Sequence, residues 1–210
     1  KLVVTDGGNG NAYDHADWAA ARVTCGSTNA KPVPSISAPL ASFKYKVGDV
    51  VTYSGSATDT EDGAIPASGL SWQVIIHHCP GGVCHTHVLQ SSTGSTGSFT
   101  VPDHGDDSYF EIVLTATDSG GQSESTSVSI TPQTVQLTLN STPSGLQVTL
   151  GGQAVTTPYT RSSVIGSMHT LNAPSPQGAY SFTSWSDGGA QQHDVTLGAV
   201  DVTYTATFTD

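Results

Sequence analysis

Residues 71–90 read SWQVIIHHCPGGVCHTHVLQ, and the pattern of this stretch decides the fold. Apolar runs at Trp72–Ile76 and Val88–Leu89 flank Cys79-Pro80-Gly81-Gly82-Val83-Cys84, where two cysteines bracket four residues of turn chemistry. β-Branched and aromatic residues on both sides of a Pro-Gly-Gly turn predict an antiparallel hairpin, its tip closed by a Cys79–Cys84 disulfide. Setting Cys79 against Cys84 fixes the register: His78 opposes His85, His77 opposes Thr86, and Ile76 opposes His87. Alternation then sends His78, His85 and His87 to one face and His77 to the other.

The same grammar extends along the chain. Ser35–Ala38, Val50–Gly55, Ser71–His78, Cys84–Gln90, Gly97–Val101, Tyr109–Thr117 and Ser123–Ile130 are short alternating runs between Gly, Pro and Asp turns, which predicts a sandwich. Val135–Leu139, Leu146–Leu150, His169–Ala173, Tyr180–Trp185 and Tyr204–Phe208 alternate in the same way. Thr, Ser, Gly and Val dominate, and no helix-forming stretch breaks the pattern. The expectation is an all-β chain: a short N-terminal strand and linker over 1–30, an immunoglobulin-like antiparallel β-sandwich over 31–132, and a smaller β-sandwich module over 133–210. The 210 residues suit two small domains.

Charge and cysteine content narrow the setting. With 6 Lys+Arg against 17 Asp+Glu the net charge is -11, which argues against nucleic acid and anionic membranes as partners. No apolar run approaches the ~20 residues of a membrane span, so no membrane insertion is expected. A disulfide hairpin fits a secreted, extracellular protein. Cys25, the third cysteine, has no evident partner, which suggests a lost or intermolecular one.

Several stretches resemble known families. Asn29-Ala30-Lys31-Pro32-Val33-Pro34, then Val47–Asp59, the Asp59/Glu61/Asp62/Gly63 loop and Leu114–Gly121 resemble a PKD-type domain, although Gln73 follows Trp72 where such domains carry Asp. Thr142–Gly152, Thr156-Thr157-Pro158 and Phe182–Gly189 resemble PEGA and InlB B-repeat modules. The pair looks like the C-terminal accessory region of secreted glucose/sorbosone-class sugar dehydrogenases, without the catalytic propeller. Asp14-His15-Ala16-Asp17-Trp18 is similar to the end of an NPCBM module, which implies that 1–30 is the remnant of a preceding module. Together these resemblances imply a non-catalytic accessory region whose partner is a catalytic domain of the same parent protein.

Three groups of residues can carry chemistry. Asn29, Asp59, Asp62 and Asp118 come from a linker and two loops at one end of the first sandwich, a set of hard oxygen donors suited to calcium; calcium-binding PKD-type domains are similar. The competing reading is Asx-turn geometry alone. Asp6, Asp14 and Asp17 offer a second cation set. His78, His85 and His87, with His104 or Asp103 as a fourth ligand, form a transition-metal set for Zn or Cu. Against it stands a polar network around the disulfide, and the sequence leans that way. Cys79–Cys84-His85 also spells a long-spaced haem c attachment site, but a β-hairpin without a haem-burying helix disfavours it.

Trp18, Trp185, Tyr159 and Tyr180 are candidates for stacking on sugars, with core burial the stronger reading for Trp185. No nucleophile elbow, zinc-protease helix or phosphate loop occurs, so no catalysis is expected. The function expected is a calcium-stabilised extracellular module pair that binds or spaces a carbohydrate-active partner on polysaccharide or a cell-surface glycan. The alternative is a surface or filament subunit that self-associates through strand Lys1–Thr5. A third reading makes the histidine hairpin a metal or haem carrier.

Overall fold

The structure, a computed structural model, describes residues 29–210. Apart from two short 3-10 turns, its regular elements are all strands. The first module contains β1 (Val33–Ala38), β2 (Lys44–Tyr45), β3 (Val50–Asp59), β4 (Gly63–Ala64), β5 (Leu70–His78), β6 (His85–Thr93), β7 (Thr96–Thr100), β8 (Ser108–Thr117) and β9 (Ser123–Pro132). One sheet is built on β3, which pairs with β1, β4 and β7; the facing sheet runs β2-β9-β8-β5-β6. This is an immunoglobulin-like sandwich, antiparallel except where the short β2 joins β9 in parallel.

Alternation builds its core. Leu70, Trp72, Val74 and Ile76 of β5 and Phe110, Ile112, Leu114 and Ala116 of β8 all point inward and are nearly fully buried. Each of the Leu, Ile, Val and Phe side chains contributes roughly 1.5–3 kcal/mol of transfer energy. Tyr53 tilts against Trp72, and the indole N–H donates to the Gly94 carbonyl at 2.8 Å, so the one polar atom of Trp72 is satisfied. Position 55 must be glycine. A Cβ there would lie 2.7 Å from Leu114 and 3.0 Å from Trp72.

The second module contains β10 (Thr134–Thr142), β11 (Gln147–Leu150), β12 (Gln153–Thr156), β13 (Tyr159–Val164), β14 (Met168–Asn172), β15 (Ser181–Trp185), β16 (Gln192–Thr196) and β17 (Val202–Thr209). Its sheets, β13-β10-β17-β15 and β12-β11-β14-β16, close over Leu137, Leu139, Val148, Leu171, Trp185 and Phe208. The β10–β17 pairing is parallel, unlike the remaining ladders of this module. Strands β12, β13 and β16 have no counterpart in the sequence reading. All three lie at sheet edges and carry mostly polar residues, because an edge strand has one solvated side.

Gln133 alone separates β9 from β10, so the modules abut. Its backbone N–H donates to Tyr45 O and its carbonyl accepts from Ile165 N, while Val47 N donates to Ile165 O at 3.0 Å. Val164 of the second module belongs to the first module's core. The β7–β8 loop, residues 101–107, sits at this joint.

Candidate metal centres

The strands β5 and β8 run the length of the first module and carry one candidate centre at each end. At the start of β5 and the end of β8 lie the acidic loops; Leu70 pairs with Ala116 there. At the other end His78 pairs with Ser108, and the histidine hairpin meets the β7–β8 loop. Eight residue steps at ~3.3 Å put the two ends roughly 26 Å apart.

The histidine end follows from the hairpin register. The structure pairs His78 with His85, His77 with Thr86 and Ile76 with His87, and Cys79 is disulfide-bonded to Cys84. His78, His85 and His87 therefore share a face, and their ligand nitrogens lie within 4.8 Å of one another. The β7–β8 loop lays His104 over them. Its ring centre is 5.0 Å from that of His78 and 5.3 Å from that of His87. Gly105, at φ +80°, makes the turn, and a Cβ there would stand 3.6 Å from His78 Nε2.

His104 Nε2 is buried and has no hydrogen-bond partner among the described residues. An imidazole nitrogen withdrawn from water normally finds a partner or costs about 1–3 kcal/mol. Burial first, then the neighbouring imidazoles of His78, His87 and His85, hold the His104 pKa below the usual histidine value. That shift favours the neutral ring, the form metal ligation requires. Asp103, the alternative fourth ligand, is turned away: its Oδ2 accepts the backbone N–H of Met168 at 2.8 Å.

The other histidines are differently placed. His77, on the opposite face of β5, stacks on Tyr109 at 4.4 Å and bonds Glu111 at 2.9 Å. Glu111 is held below its usual pKa mainly by a hydrogen bond from Ser127 and then by His77. His193 Nε2 bonds Asp187 at 2.9 Å and its Nδ1 lies 2.8 Å from the Ala190 carbonyl.

The acidic end brings Asn29, Asp59, Asp62 and Asp118 into one hydrogen-bonded group. Asn29 Nδ2 donates to Asp118 Oδ2 at 2.9 Å, and Asp118 Oδ1 accepts from Gln122 N. Asp62 accepts from Ser119 N at 2.7 Å and from Ser119 Oγ at 2.9 Å; these two bonds lower its pKa. Asp59 Oδ1 accepts the N–H groups of Glu61 and Asp62. Its Oδ2 is buried and unpartnered among the described residues. Asp59 and Asp118 thus make local turn bonds, Asp62 is satisfied by the neighbouring loop, and among the described residues one carboxylate oxygen is left without a partner.

Trp185 is corrected as a sugar-stacking residue. It is only 3% exposed, packed in the second core, and its indole N–H donates to Gln191 O. Tyr159 packs against the same core, and Tyr180 is exposed at its margin. Asp6, Asp14, Asp17, Trp18, Cys25 and the Lys1–Thr5 strand lie outside the described residues.

One residue essential to this geometry went unread in the sequence. Asp106 is buried at the joint, where its carboxylate accepts from Val164 N at 2.8 Å and Ser163 Oγ at 2.9 Å and pairs with Arg161 at 3.1 Å. Arg161 is the sole Lys or Arg in residues 133–210. That solitary cation was the available signal.

No family model matches the chain, and no curated protein matches it. Among solved structures it is similar to Spo0M, the sporulation control protein of Bacillus subtilis, at TM-score 0.33 and 15% identity over 49% of this chain and 50% of that one. It is similar to the T6 backbone pilin of serotype M6 Streptococcus pyogenes at TM-score 0.30 and 9% identity, covering 80% and 52%. A third, BcpA, the major pilin subunit of Bacillus cereus, gives TM-score 0.29 and 10% identity, covering 87% and 71%. The chain spans about half the length of the first two.

Proposed function

We propose that this chain is an extracellular metal-binding module pair that holds a divalent transition ion, zinc or copper(II), through His78, His85, His87 and His104. The single observation that carries the reading is His104 Nε2: a buried nitrogen without a partner, beside three further imidazoles. Four neutral nitrogen donors suit zinc and copper(II) and are poor ligands for calcium or magnesium. Bonds of ~2.0–2.1 Å to a tetrahedral ion bring donors to roughly 3.3 Å of one another. The exposed His85 and His87 reach that spacing by side-chain rotation.

The test is titration of metal-free, untagged full chain with zinc and with copper(II), by calorimetry and by electron paramagnetic resonance of the copper form. One ion per chain at micromolar affinity or better, with several nitrogen couplings, is the expected result. Absence of binding at 1 mM ion (about −4 kcal/mol) overturns the reading.

A second reading, favoured by Asp59 Oδ2, places calcium at the acidic end, where it would complete that carboxylate and tie Asn29 to the Asp118 loop. Calcium then stabilises the start of the first module, and the midpoint of thermal unfolding rises with calcium. An unchanged midpoint at 10 mM calcium removes this reading. The accessory role on polysaccharide draws no support from Trp185, which is in the core, while Tyr180 is exposed.

A further inference from the structure

Resting on the four-histidine reading, we infer that the second module is a working part of the metal centre: it fixes His104, so metal binding and docking of the two modules are coupled. His104 lies on the β7–β8 loop between two aspartates, and both reach across the joint. On one side Asp103 Oδ2 accepts the N–H of Met168, the first residue of β14. On the other, Asp106 accepts from Val164 N and Ser163 Oγ at the end of β13 and pairs with Arg161 of the same strand.

The Asp106 carboxylate is 2% exposed, so it is committed to these partners. A buried carboxylate costs several kcal/mol unless it is paired and hydrogen-bonded, and every partner named here comes from the second module. His169, 3.7 Å from the same carboxylate and bonded to Ser167, closes the group.

The first module holds the loop at its two ends: Val101 N donates to Asp49 O at 2.9 Å and Val101 O accepts from Gly48 N at 3.0 Å. Asp107 O accepts Cys79 N at 2.8 Å, which ties the loop to the hairpin tip, and Ser108 Oγ donates to His104 O at 2.7 Å. Between the modules a groove of roughly 400 Å³ is lined by His78, Gly105, Arg161 and His169. The loop carrying His104 is the wall of that groove.

Removing the second module's grip releases both aspartates, and His104 swings free of the other three rings. Asp103, Asp106 and Arg161 are positioning residues: none is offered as a ligand, and each acts through His104. Outer partners that orient a metal-binding histidine commonly contribute ten- to a hundredfold in affinity.

Coupling is reciprocal, so whatever factor the docked module adds to zinc affinity, zinc returns to docking. The test uses the full chain. Zinc titrations compare wild type with Arg161→Ala and Asp103→Ala, and hydrogen exchange of wild type with and without zinc follows the amides of Val164 and Met168. The expected result is a roughly tenfold loss of zinc affinity in each variant, with fewer nitrogen couplings in the copper spectrum. In wild type, zinc slows exchange at Val164 and Met168 and leaves Thr207 of β17 unchanged.

Unchanged affinity in both variants, with no added protection at the two amides, overturns the coupling while the metal reading stands. Failure of wild type itself to bind zinc or copper overturns both. The exchange measurement needs no substitution, so a variant that misfolds does not remove the test.

Discussion

The two ends of the first sandwich hold clusters of similar size and opposite chemistry, and they have solved the problem of burial differently. At the acidic end Asp62 uses both oxygens on Ser119 of the β8–β9 loop, and Asp118 uses its two on Gln122 of its own loop and on Asn29. Among the described residues Asp59 Oδ2 is the one left over. At the histidine end the chain gathers four rings and offers the buried nitrogen of His104 nothing. A group of metal-type residues points to an ion in proportion to what its own structure fails to satisfy. By that measure the two ends are level, one buried unpartnered atom each among the described residues, and what sets the histidine end apart is the three further imidazoles gathered beside that atom, although the sequence favoured the carboxylates.

The largest effect that would break or sharpen this contrast is a single-ring deletion. His104→Ala is expected to weaken zinc binding at least a hundredfold, while His77→Ala, one residue from His78 in sequence but on the opposite face, leaves it unchanged. Calorimetry on the two variants reads this directly. Equal losses would mean that the hairpin face does not select the ligands, and the contrast between the ends would collapse.

Next in size is the disulfide. The Cys79–Cys84 bond closes a six-residue loop next to the facing pair His78 and His85. On the loop-entropy model its removal costs about 2 kcal/mol. The double variant Cys79→Ser/Cys84→Ser is expected to unfold at correspondingly lower urea and to bind zinc more weakly than wild type, but better than His104→Ala. A variant as stable as wild type would show the tip to be held by β5–β6 pairing alone.

The fold class was legible because alternation in β5, β8 and β10 is strong and both faces of the sandwich are apolar on the inside. The hairpin register was legible for a simpler reason: a disulfide across a short turn admits one pairing. What the sequence concealed was mostly at edges and joints. Gln192–Thr196 carries no strand reading in the sequence, yet it pairs along β14 from Met168 to Asn172. Asp103 reads only as the alternative fourth ligand and Asp106 as a further acid of the same loop, and no local pattern says that Arg161 and Met168 lie across from them. His104 was placed with the hairpin only as one of two fourth ligands; the choice depends on which way the β7–β8 loop turns at Gly105.

A smaller effect tests the other side of the comparison. Asp59→Asn keeps an acceptor for Glu61 N and Asp62 N and removes the charge on an oxygen without a partner. Without calcium the variant is expected to be as stable as wild type or up to about 1 kcal/mol more stable, since a buried unpaired charge is lost. With calcium, wild type gains and the variant does not. Urea unfolding with calcium and with chelator gives all four values. If the variant is destabilised without calcium and still gains with it, Asp59 is a structural turn residue and the acidic end holds no ion through it.

The smallest effect concerns Glu111, which pairs with the one hairpin histidine that already has its partner. Its pKa is lowered, by Ser127 and then by His77, so the folded state binds this proton less readily than the unfolded chain does. The stabilisation is therefore present above the ordinary glutamate range and is lost as pH falls through the lowered value. The site is partly open to solvent, which keeps the contribution well below 1 kcal/mol. Glu111→Gln should flatten the fall in stability below pH ~4.5 and leave zinc affinity at neutral pH untouched. A change in zinc affinity would link the two faces of β5 through His77, and the separation between satisfied and unsatisfied histidines would have to be redrawn within a single strand.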